Sequence, residues 1–294
     1  MAMAAPGNLL SGLSDALGCS LLPAECSVCG SPLEKLTSAP ICEACWVEIP
    51  GPRECCCACC GEDLFQPLEA SVGVGALCRV CRMAPPGFAR AVSYGVYDGS
   101  MRAVIHALKF GRMESLVGRL GGMLAETIAR LAGNVPDGMV LVPVPLHRKR
   151  RAERGFNQAE KLAAEALRVL KQNHPAWRLE LSSRVLIRER ITESQAGLTP
   201  RQRRQNLRGA FFVADAGMVQ GRHVVLVDDI YTTGATARAC SKVLLKAGAA
   251  SVRVATLARA QRRFPVFIEK RQRYMQVAGS SEMPLEVSEE VFVH

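Results

Sequence analysis

The residues best suited to chemistry lie in one stretch, residues 223–240, which reads HVVLVDDIYTTGATARAC. Residues 224–227 are all apolar, as in a parallel strand that is buried on both faces. Two carboxylates, Asp228 and Asp229, follow at the carboxyl end of that strand, where open α/β sheets bind ligands. Carboxylates in this place can accept hydrogen bonds from sugar hydroxyls or hold Mg²⁺.

The segment after the acidic pair is a loop of small and hydroxylated residues that leads into a helical pattern. It contains Thr232, Thr233, Gly234, Ala235 and Thr236. The backbone N–H groups of such a loop and the start of the following helix can hold a phosphate. VLVDD could instead be the Walker B strand of an ATPase, but the required GxxxxGK[ST] loop occurs nowhere in the chain. A core strand with a polar end is the other alternative, and the Thr/Gly loop argues against it.

A cationic segment follows an earlier predicted strand, residues 139–146. The segment reads HRKRRAERG and carries five cations and one anion. It begins with Arg148, Lys149, Arg150 and Arg151. Because the carboxyl ends of parallel strands share one edge of a sheet, we expect this cationic loop to lie beside the acidic pair and to bind an anion. A solvated face or a general nucleic-acid patch remains the alternative.

The cysteines are concentrated at the start of the chain, with twelve of the thirteen before residue 82. Their CxxC spacing predicts two structural Cys₄ zinc sites, because four thiolates leave no position open for water. The predicted ligands are Cys26, Cys29, Cys42, Cys45, Cys57, Cys60, Cys78 and Cys81. The run 55–60 also contains the pair 56/59, but only 57/60 is followed by glycine, as 26/29 is. The spacing leaves open whether the pairs combine sequentially or interleave.

Composition and charge are those of a globular protein with an anionic partner. Of the 294 residues, 49% are hydrophobic and 22% are charged. The net charge of +10 arises after residue 90, since residues 1–90 carry five Lys/Arg against nine Asp/Glu. No apolar run approaches the roughly 20 residues that span a bilayer, and no basic start indicates a secretory signal. We therefore expect a cytoplasmic location without a membrane span.

Four regions are expected along the chain. A flexible lead-in covers residues 1–25, a double zinc-ribbon module covers 26–87, an α/β domain covers 88–260, and a tail of unknown role covers 261–294. The boundary rests on the Pro-Pro-Gly run at 85–87. Within the α/β domain we expect strands at 91–97, 139–146, 185–187, 224–227 and 251–257. The Arg-rich segment 188–208 is expected to be either a functional lid or disordered.

Several of these motifs together resemble a known family. VVLVDDIYTTGAT resembles the diphosphoribose-binding motif of type I phosphoribosyltransferases. With the cysteine knuckles and the phrases ALKFGR, PVPLHRKRRAERGFNQAEKLA, QAGLT and NLRGAF, the chain resembles a ComF-type competence protein over residues 26–260. The resemblance implies an α/β fold with a type I phosphoribosyltransferase-like parallel sheet, helices on both faces, and a small Cys₄ zinc-knuckle module before it.

The resemblance also implies roles for the candidate residues. Asp228 and Asp229 would contact the ribose 2′- and 3′-hydroxyls and metal-bound water, and residues 232–236 would cradle the 5-phosphate. Residues 148–151 would take the pyrophosphate, and hood arginines would close on the leaving group. The hood arginines are Arg201, Arg203 and Arg204.

Two functions of different class follow from the resemblance. One is binding of 5-phosphoribosyl diphosphate or a nucleotide with Mg²⁺, with transfer of phosphoribosyl to or from a base or amine if the chain is active. The other is a non-catalytic component of DNA uptake that binds single-stranded DNA, with the zinc knuckles docking on proteins of the uptake machinery. No residue stands out as a general base, and the few aromatic residues indicate no stacking platform for a nucleobase.

Overall fold

The computed structural model describes residues 25–33, 39–49, 51, 56–64, 75–111, 113–131, 138–189, 202, 207 and 209–261. The lid arginines at 201, 203 and 204 therefore lie outside the described residues, as do the lead-in and nearly all of the tail. None of the described helices is long and apolar enough to cross a membrane.

Seven strands form two sheets in the described part of the chain. The strands are β1 (Arg90–Val96), β2 (Met139–Pro143), β3 (Leu179–Leu181), β4 (Leu186–Arg188), β5 (Phe211–Val213), β6 (His223–Tyr231) and β7 (Ser251–Arg259). The larger sheet has the order β1-β7-β6-β2-β3, and all of its neighbouring strands are parallel. The prediction of a parallel sheet is confirmed.

The strand predicted at residues 185–187 does not belong to the parallel sheet. It forms β4, which pairs antiparallel with β5 in a separate hairpin. One edge strand of the parallel sheet is β3, which the sequence analysis did not predict. Its three residues, LEL, include one buried and one exposed position. A strand this short shows no recognisable alternation of apolar and polar residues in the sequence.

Seven α-helices have their bounds within the described residues, two before β1 and five between later strands. They are α1 (Glu43–Val47), α2 (Arg79–Met83), α3 (Gly99–Phe110), α4 (Val117–Leu131), α5 (Arg148–Arg154), α6 (Gln158–Asn173) and α7 (Ala235–Lys246). The Asp98 side chain caps α3 by accepting a hydrogen bond from the Gly99 N–H at 3.0 Å. Short 3₁₀ turns lie at Glu114–Leu116 and Ala216–Met218.

Helices cover both faces of the parallel sheet, as predicted. Alternate residues of β6 point to opposite faces, so Val225 and Val227 join the core with α3, α4 and α6, whereas Val224 and Leu226 join the core with α7 and the β4–β5 hairpin. All four valine and leucine side chains are buried. Burial on both faces explains why this strand shows an uninterrupted apolar run.

The strand order creates a switch point between β6 and β2. From β2 the chain proceeds to β3 on one side, and the later strands β6 and β7 lie on the other side. A crevice forms at such a point, outside the carboxyl ends of the strands, and open α/β sheets bind ligands there. The acidic pair on β6 and the cationic segment after β2 flank this crevice.

Candidate functional site

The acidic pair lies on a strand that continues past its neighbour. The pairing of β6 with β2 ends at Val227, but its pairing with β7 continues through Asp228 to Tyr231. The expected strand of four residues is thus longer at its carboxyl end. Because β7 holds the backbone on one side while β2 has ended on the other, both carboxylates are fixed at the rim of the crevice.

The two carboxylates differ in their partners. Asp229 is buried and accepts a hydrogen bond from the Lys109 ammonium at 2.8 Å. Asp228 accepts a hydrogen bond from the Asp229 backbone N–H at 2.9 Å. Burial raises the pKa of Asp228 to about 7, the negative charge of Asp229 adds to the shift, and Lys109 opposes it. A nearby cation therefore stabilises the charged form of Asp228.

Lys109 is a site residue that the sequence analysis did not assign. It lies in the last turn of α3, 120 residues before its partner Asp229. The phrase ALKFGR, which contributed to the family resemblance, contains it. That phrase was the available signal, but nothing local indicated which acid the lysine meets.

The loop after β6 is held in place by Gly234. This residue has φ 74° and ψ 11°, in the left-handed region, and directly precedes α7. A Cβ atom at this position would overlap the hydroxyl of Tyr231. The Ala235 N–H donates to Thr233 Oγ1 at 3.4 Å, which closes the turn into the helix. Thr232 and Thr236 are half-buried on either side, so residues 232–236 form a compact turn at the start of a helix.

The cationic segment after β2 is a helix, not the expected loop. α5 begins after His147, whose Nδ1 accepts from the Lys149 N–H at 3.2 Å, and ends at Gly155 with φ 84°. No apolar face marked it in the sequence, because none of its residues is buried. The side chains of Arg148, Lys149 and Arg151 are exposed, and Arg151 lies 3.7 Å from Glu160.

Arg154, at the end of α5, interacts electrostatically with the acidic pair. Burial lowers its pKa, whereas the negative charges of Asp229 and Asp228 raise it. Its Nη1 donates to Gln158 Oε1 at 3.2 Å, which anchors the guanidinium to the start of α6. The sequence analysis counted Arg154 among the five cations but did not single it out.

Arg188 adds a third cation on the hairpin side of the site. It is buried at the end of β4, with its guanidinium 5.4 Å from the centre of the Phe211 ring. Burial lowers the pKa of Arg188, and its charge lowers the pKa of Asp228. The expected Arg-rich lid began at this residue, but the structure places it at the end of a strand. The acidic pair thus lies among Lys109, Arg154 and Arg188.

The eight predicted zinc ligands come together in two sets of four. Cys26, Cys29, Cys42 and Cys45 form one set, and Cys57, Cys60, Cys78 and Cys81 form the other. Within each set all sulfur atoms lie within 4.8 Å of one another. The pairs therefore combine sequentially, and the second set uses 57/60. The described cysteines 56 and 59 belong to neither set.

The sulfur geometry fits tetrahedral zinc. A Zn–S bond of about 2.3 Å requires sulfur atoms about 3.8 Å apart in a tetrahedral site. The sulfur atoms are 3.8 Å apart in the pair Cys26–Cys45, 3.6 Å in Cys29–Cys42 and 3.7 Å in Cys60–Cys78. The two clusters are compatible with structural zinc sites that leave no ligand position for water.

Backbone groups favour the thiolate form at Cys26 in the first set and at Cys57 in the second. At Cys26, burial opposes ionisation, but the N–H groups of Cys42 and Val28, 3.3 and 3.4 Å from its sulfur, help to hold the pKa at about 6. At Cys57, burial again opposes ionisation, and hydrogen bonds from the backbone lower the pKa to about 7. Because metals bind the thiolate, these contacts preorganise both sets.

The two clusters pack against opposite faces of the parallel sheet. The first joins the core that contains α3 and α4. On the exposed side, Arg119 of α4 donates two hydrogen bonds of 2.6 and 2.8 Å to Glu43 of α1. The second joins the core that contains α7. There the Ala91 N–H donates to the Cys59 carbonyl at 2.7 Å, and Arg259 Nη2 donates to Cys60 Sγ at 3.4 Å.

Comparison with known proteins agrees with this arrangement. Residues 154–277 match the phosphoribosyl transferase domain. A solved structure of the allosteric regulatory enzyme of purine biosynthesis is 25% identical, but the match covers 49% of this chain and 26% of that chain with a TM-score of 0.30.

Curated relatives are similar over most of their length. DNA utilization protein YhgH of Escherichia coli (strain K12) is 37% identical over 186 residues, which cover 62% of this chain and 77% of that protein. YhgH of Salmonella typhi is 33% identical over 240 residues, with 81% and 98% covered. Competence protein F of Haemophilus influenzae is 31% identical over 186 residues, with 62% and 78% covered. The chain belongs to the ComF-type competence protein family, which includes these proteins.

Proposed function

We propose that the chain binds 5-phosphoribosyl diphosphate, or a nucleotide, together with Mg²⁺ at the carboxyl end of β6. The observation that carries this proposal is the acidic pair, which lies among three cations. It is followed by a turn in which position 234 has no room for a Cβ atom. Asp228 and Asp229 would accept hydrogen bonds from the ribose hydroxyls. Residues 232–236 would hold the 5-phosphate at the start of α7, where backbone N–H groups point outward.

The charges around the acidic pair suit a ligand that brings both phosphate and metal. Burial raises the pKa of Asp228, and the negative charge of the adjacent Asp229 adds to the shift. A divalent cation would relieve the repulsion between these two negative charges, so the residues fit Mg²⁺. When bound, Mg²⁺ would neutralise charge on the pyrophosphate. Arg154 and Arg188, with the exposed cations of α5, would attract the same group.

If the chain is active, it would displace pyrophosphate from the anomeric carbon of the bound phosphoribosyl group. Positive charge would develop on the ribose in the transition state, and the carboxylates lie where they could stabilise it. The cations would stabilise the departing pyrophosphate. The acceptor would be a base or an amine.

Calorimetry with 5-phosphoribosyl diphosphate and Mg²⁺ tests the binding proposal. We expect the wild type to bind and the variant Asp228→Asn/Asp229→Asn to lose most of the affinity, because the amides keep the shape of the site but remove both negative charges. A wild type that does not bind would contradict the proposal. Pyrophosphate release with a panel of bases and amines then separates a transferase from a binding protein.

A role in DNA utilisation is the second candidate, and one surface favours it. A groove of about 910 Å³ lies between β5 and α7, lined by the cations Arg238, Lys242 and Lys246. They follow one another at four-residue intervals along α7 and so lie on one face of the helix. Phe212, which is 45% exposed, also lines the groove. Single-stranded nucleic acid binds such combinations of cations and an aromatic ring.

Oligonucleotide binding measured at several salt concentrations tests this second candidate. We expect affinity to fall with salt, and Lys242→Ala/Lys246→Ala to reduce the slope of log K against log salt by about 1.4. Lys161→Ala/Lys171→Ala removes the same charge from α6 and serves as the control. Binding that does not depend on salt, or an equal change in both variants, would contradict a strand in this groove.

We also propose that both cysteine sets hold structural zinc. Metal analysis of the purified chain should give two zinc ions per chain. Cys57→Ser should lower the value to one, because it removes a member of the second set. Cys59→Ser should leave it at two, because Cys59 lies outside both sets although it belongs to the alternative CxxC pair. The opposite result for the two variants would show that the 56/59 pair binds the metal.

A further inference from the structure

An exposed aromatic side chain lies at the end of α3, next to the residue that binds the acidic pair. Phe110 is 62% exposed within the described part of the chain. The preceding residue, Lys109, donates the hydrogen bond to Asp229. One turn earlier, the imidazole of His106 packs against Phe110 with ring centroids 4.5 Å apart and an angle of 38°. Two planar side chains thus form a continuous surface at this end of the helix.

Arg154 connects this surface to the acidic pair. Its guanidinium carbon is 5.2 Å from the centre of the Phe110 ring. The same guanidinium interacts with the charges of Asp229 and Asp228, and it is held by Gln158. Phe110 therefore contacts Arg154, whose charge interacts with both carboxylates. It also directly follows Lys109, which binds Asp229.

A single exposed phenylalanine would need no explanation, since isolated apolar side chains are common on protein surfaces. Phe110 differs because its ring contacts a cation and an imidazole directly beside a predicted ribose site. Planar groups with an adjacent guanidinium are the usual surface on which proteins stack nucleobases. The structure thus provides a stacking platform that the small number of aromatic residues did not suggest.

We propose that Phe110, with His106 and Arg154, stacks on the nucleobase of a nucleoside 5′-monophosphate whose phosphate lies at residues 232–236. This inference rests on the proposed phosphoribosyl site and adds the part of the ligand that 5-phosphoribosyl diphosphate lacks. The ribose would lie at Asp228 and Asp229, and the base would extend from its anomeric carbon towards α3. Purines are favoured over pyrimidines through their larger stacking area.

Calorimetry with adenosine 5′-monophosphate and with 5-phosphoribosyl diphosphate, each with Mg²⁺, tests the proposal. We expect Phe110→Ala to weaken the binding of the monophosphate roughly tenfold, the loss typical of one stacked base. The affinity for 5-phosphoribosyl diphosphate should not change, because that ligand has no base. Met83→Ala removes a large apolar side chain that is 74% exposed on a different surface and should change neither affinity.

Phe110→Trp provides a direct measurement of stacking. The monophosphate should quench the added tryptophan fluorescence, relative to the wild type, and 5-phosphoribosyl diphosphate should not. Unchanged affinity of Phe110→Ala for the monophosphate, or an equal loss for both ligands, would overturn the proposal. A wild type that binds the monophosphate in a Phe110-dependent manner but not the diphosphate would support the stacking surface and contradict the proposed diphosphate ligand.

Discussion

Gly234→Ala is expected to reduce the affinity for 5-phosphoribosyl diphosphate by about 100-fold, the scale of loss that a misplacement of about 1 Å causes at an active site. Two costs combine at this position. The backbone conformation, with φ 74°, disfavours any residue with a Cβ atom by about 1 to 2 kcal/mol. In addition, the new methyl group would overlap the hydroxyl of Tyr231.

Tyr231 has no room to move away from that methyl group. Its ring is buried between the guanidinium of Arg259, 4.5 Å from the ring centre, and the ring of Phe88, 6.2 Å away and nearly perpendicular. The loop must therefore shift instead. Because residues 232–236 would hold the phosphate through their backbone, a shift of the loop removes the binding geometry directly.

Gly221→Ala is the matched control for this prediction. Gly221 has φ 69°, but a Cβ atom there would meet nothing within 4 Å. It therefore carries the conformational cost without the overlap, and we expect it to leave ligand affinity unchanged. Calorimetry measures the affinities, and urea unfolding of both variants should show the larger loss of stability for Gly234→Ala. Equal losses of stability in the two variants would show that the contact with Tyr231 is unimportant.

Arg259→Met is expected to lower the free energy of unfolding by about 3 to 5 kcal/mol, the usual cost of removing one partner from a buried ion pair. Arg259 is 2% exposed and Glu62 is 4% exposed, and Arg259 Nη2 donates a short hydrogen bond to Glu62 Oε2. The substitution leaves the Glu62 carboxylate buried without its cation. It also removes the donor to Cys60 Sγ in the second cysteine set.

The double variant Arg259→Met/Glu62→Met should recover most of the lost stability. Two Arg259 atoms, Nε and Nη1, are buried without a hydrogen-bond partner among the described residues, so the native pair is incompletely satisfied. Replacing both charges by apolar side chains of similar length is then close to neutral. Urea unfolding at constant zinc concentration gives the coupling energy. If the two substitutions are additive, the ion pair does not contribute as a pair.

An exposed ion pair in the same protein provides the control for this cycle. Arg222 Nη1 lies 2.8 Å from Glu180 Oε2, and the Glu180 side chain is largely exposed. Arg222→Met should cost no more than about 1 kcal/mol, because solvent screens the pair.

Zinc release to a chelator is a second measurement, since loss of the Arg259 hydrogen bond should speed release from the second set.

The two predictions concern one continuous series of contacts. Cys60 accepts from Arg259, Arg259 lies over the ring of Tyr231, and Tyr231 occupies the space that a side chain at position 234 would need. The second cysteine set and the candidate phosphate loop are thus built on the carboxyl ends of the same two strands, β6 and β7. The register of these strands pairs Tyr231 with Arg259 directly.

The sequence alone determined the local chemistry of this protein. The apolar run at 224–227 required burial on both faces, and the acidic pair and small-residue loop followed it directly. These features depend only on neighbouring residues. The same holds for the glycine after the first CxxC pair of each set, which has a positive φ (Gly30 φ 73°, Gly61 φ 67°). Period and spacing reveal such features because they reflect the backbone geometry of a few consecutive residues.

Only the tertiary structure decided which distant residues meet. Lys109 reaches Asp229 across 120 positions of the chain, and no local pattern contains that information. The polar helix α5 and the three-residue strand β3 have no apolar period, so the packing of the whole domain determines them. The sequential grouping of the cysteines and the stacking surface at Phe110 were likewise undecided, because spacing limits which groups can meet, while strand order and helix packing select those that do.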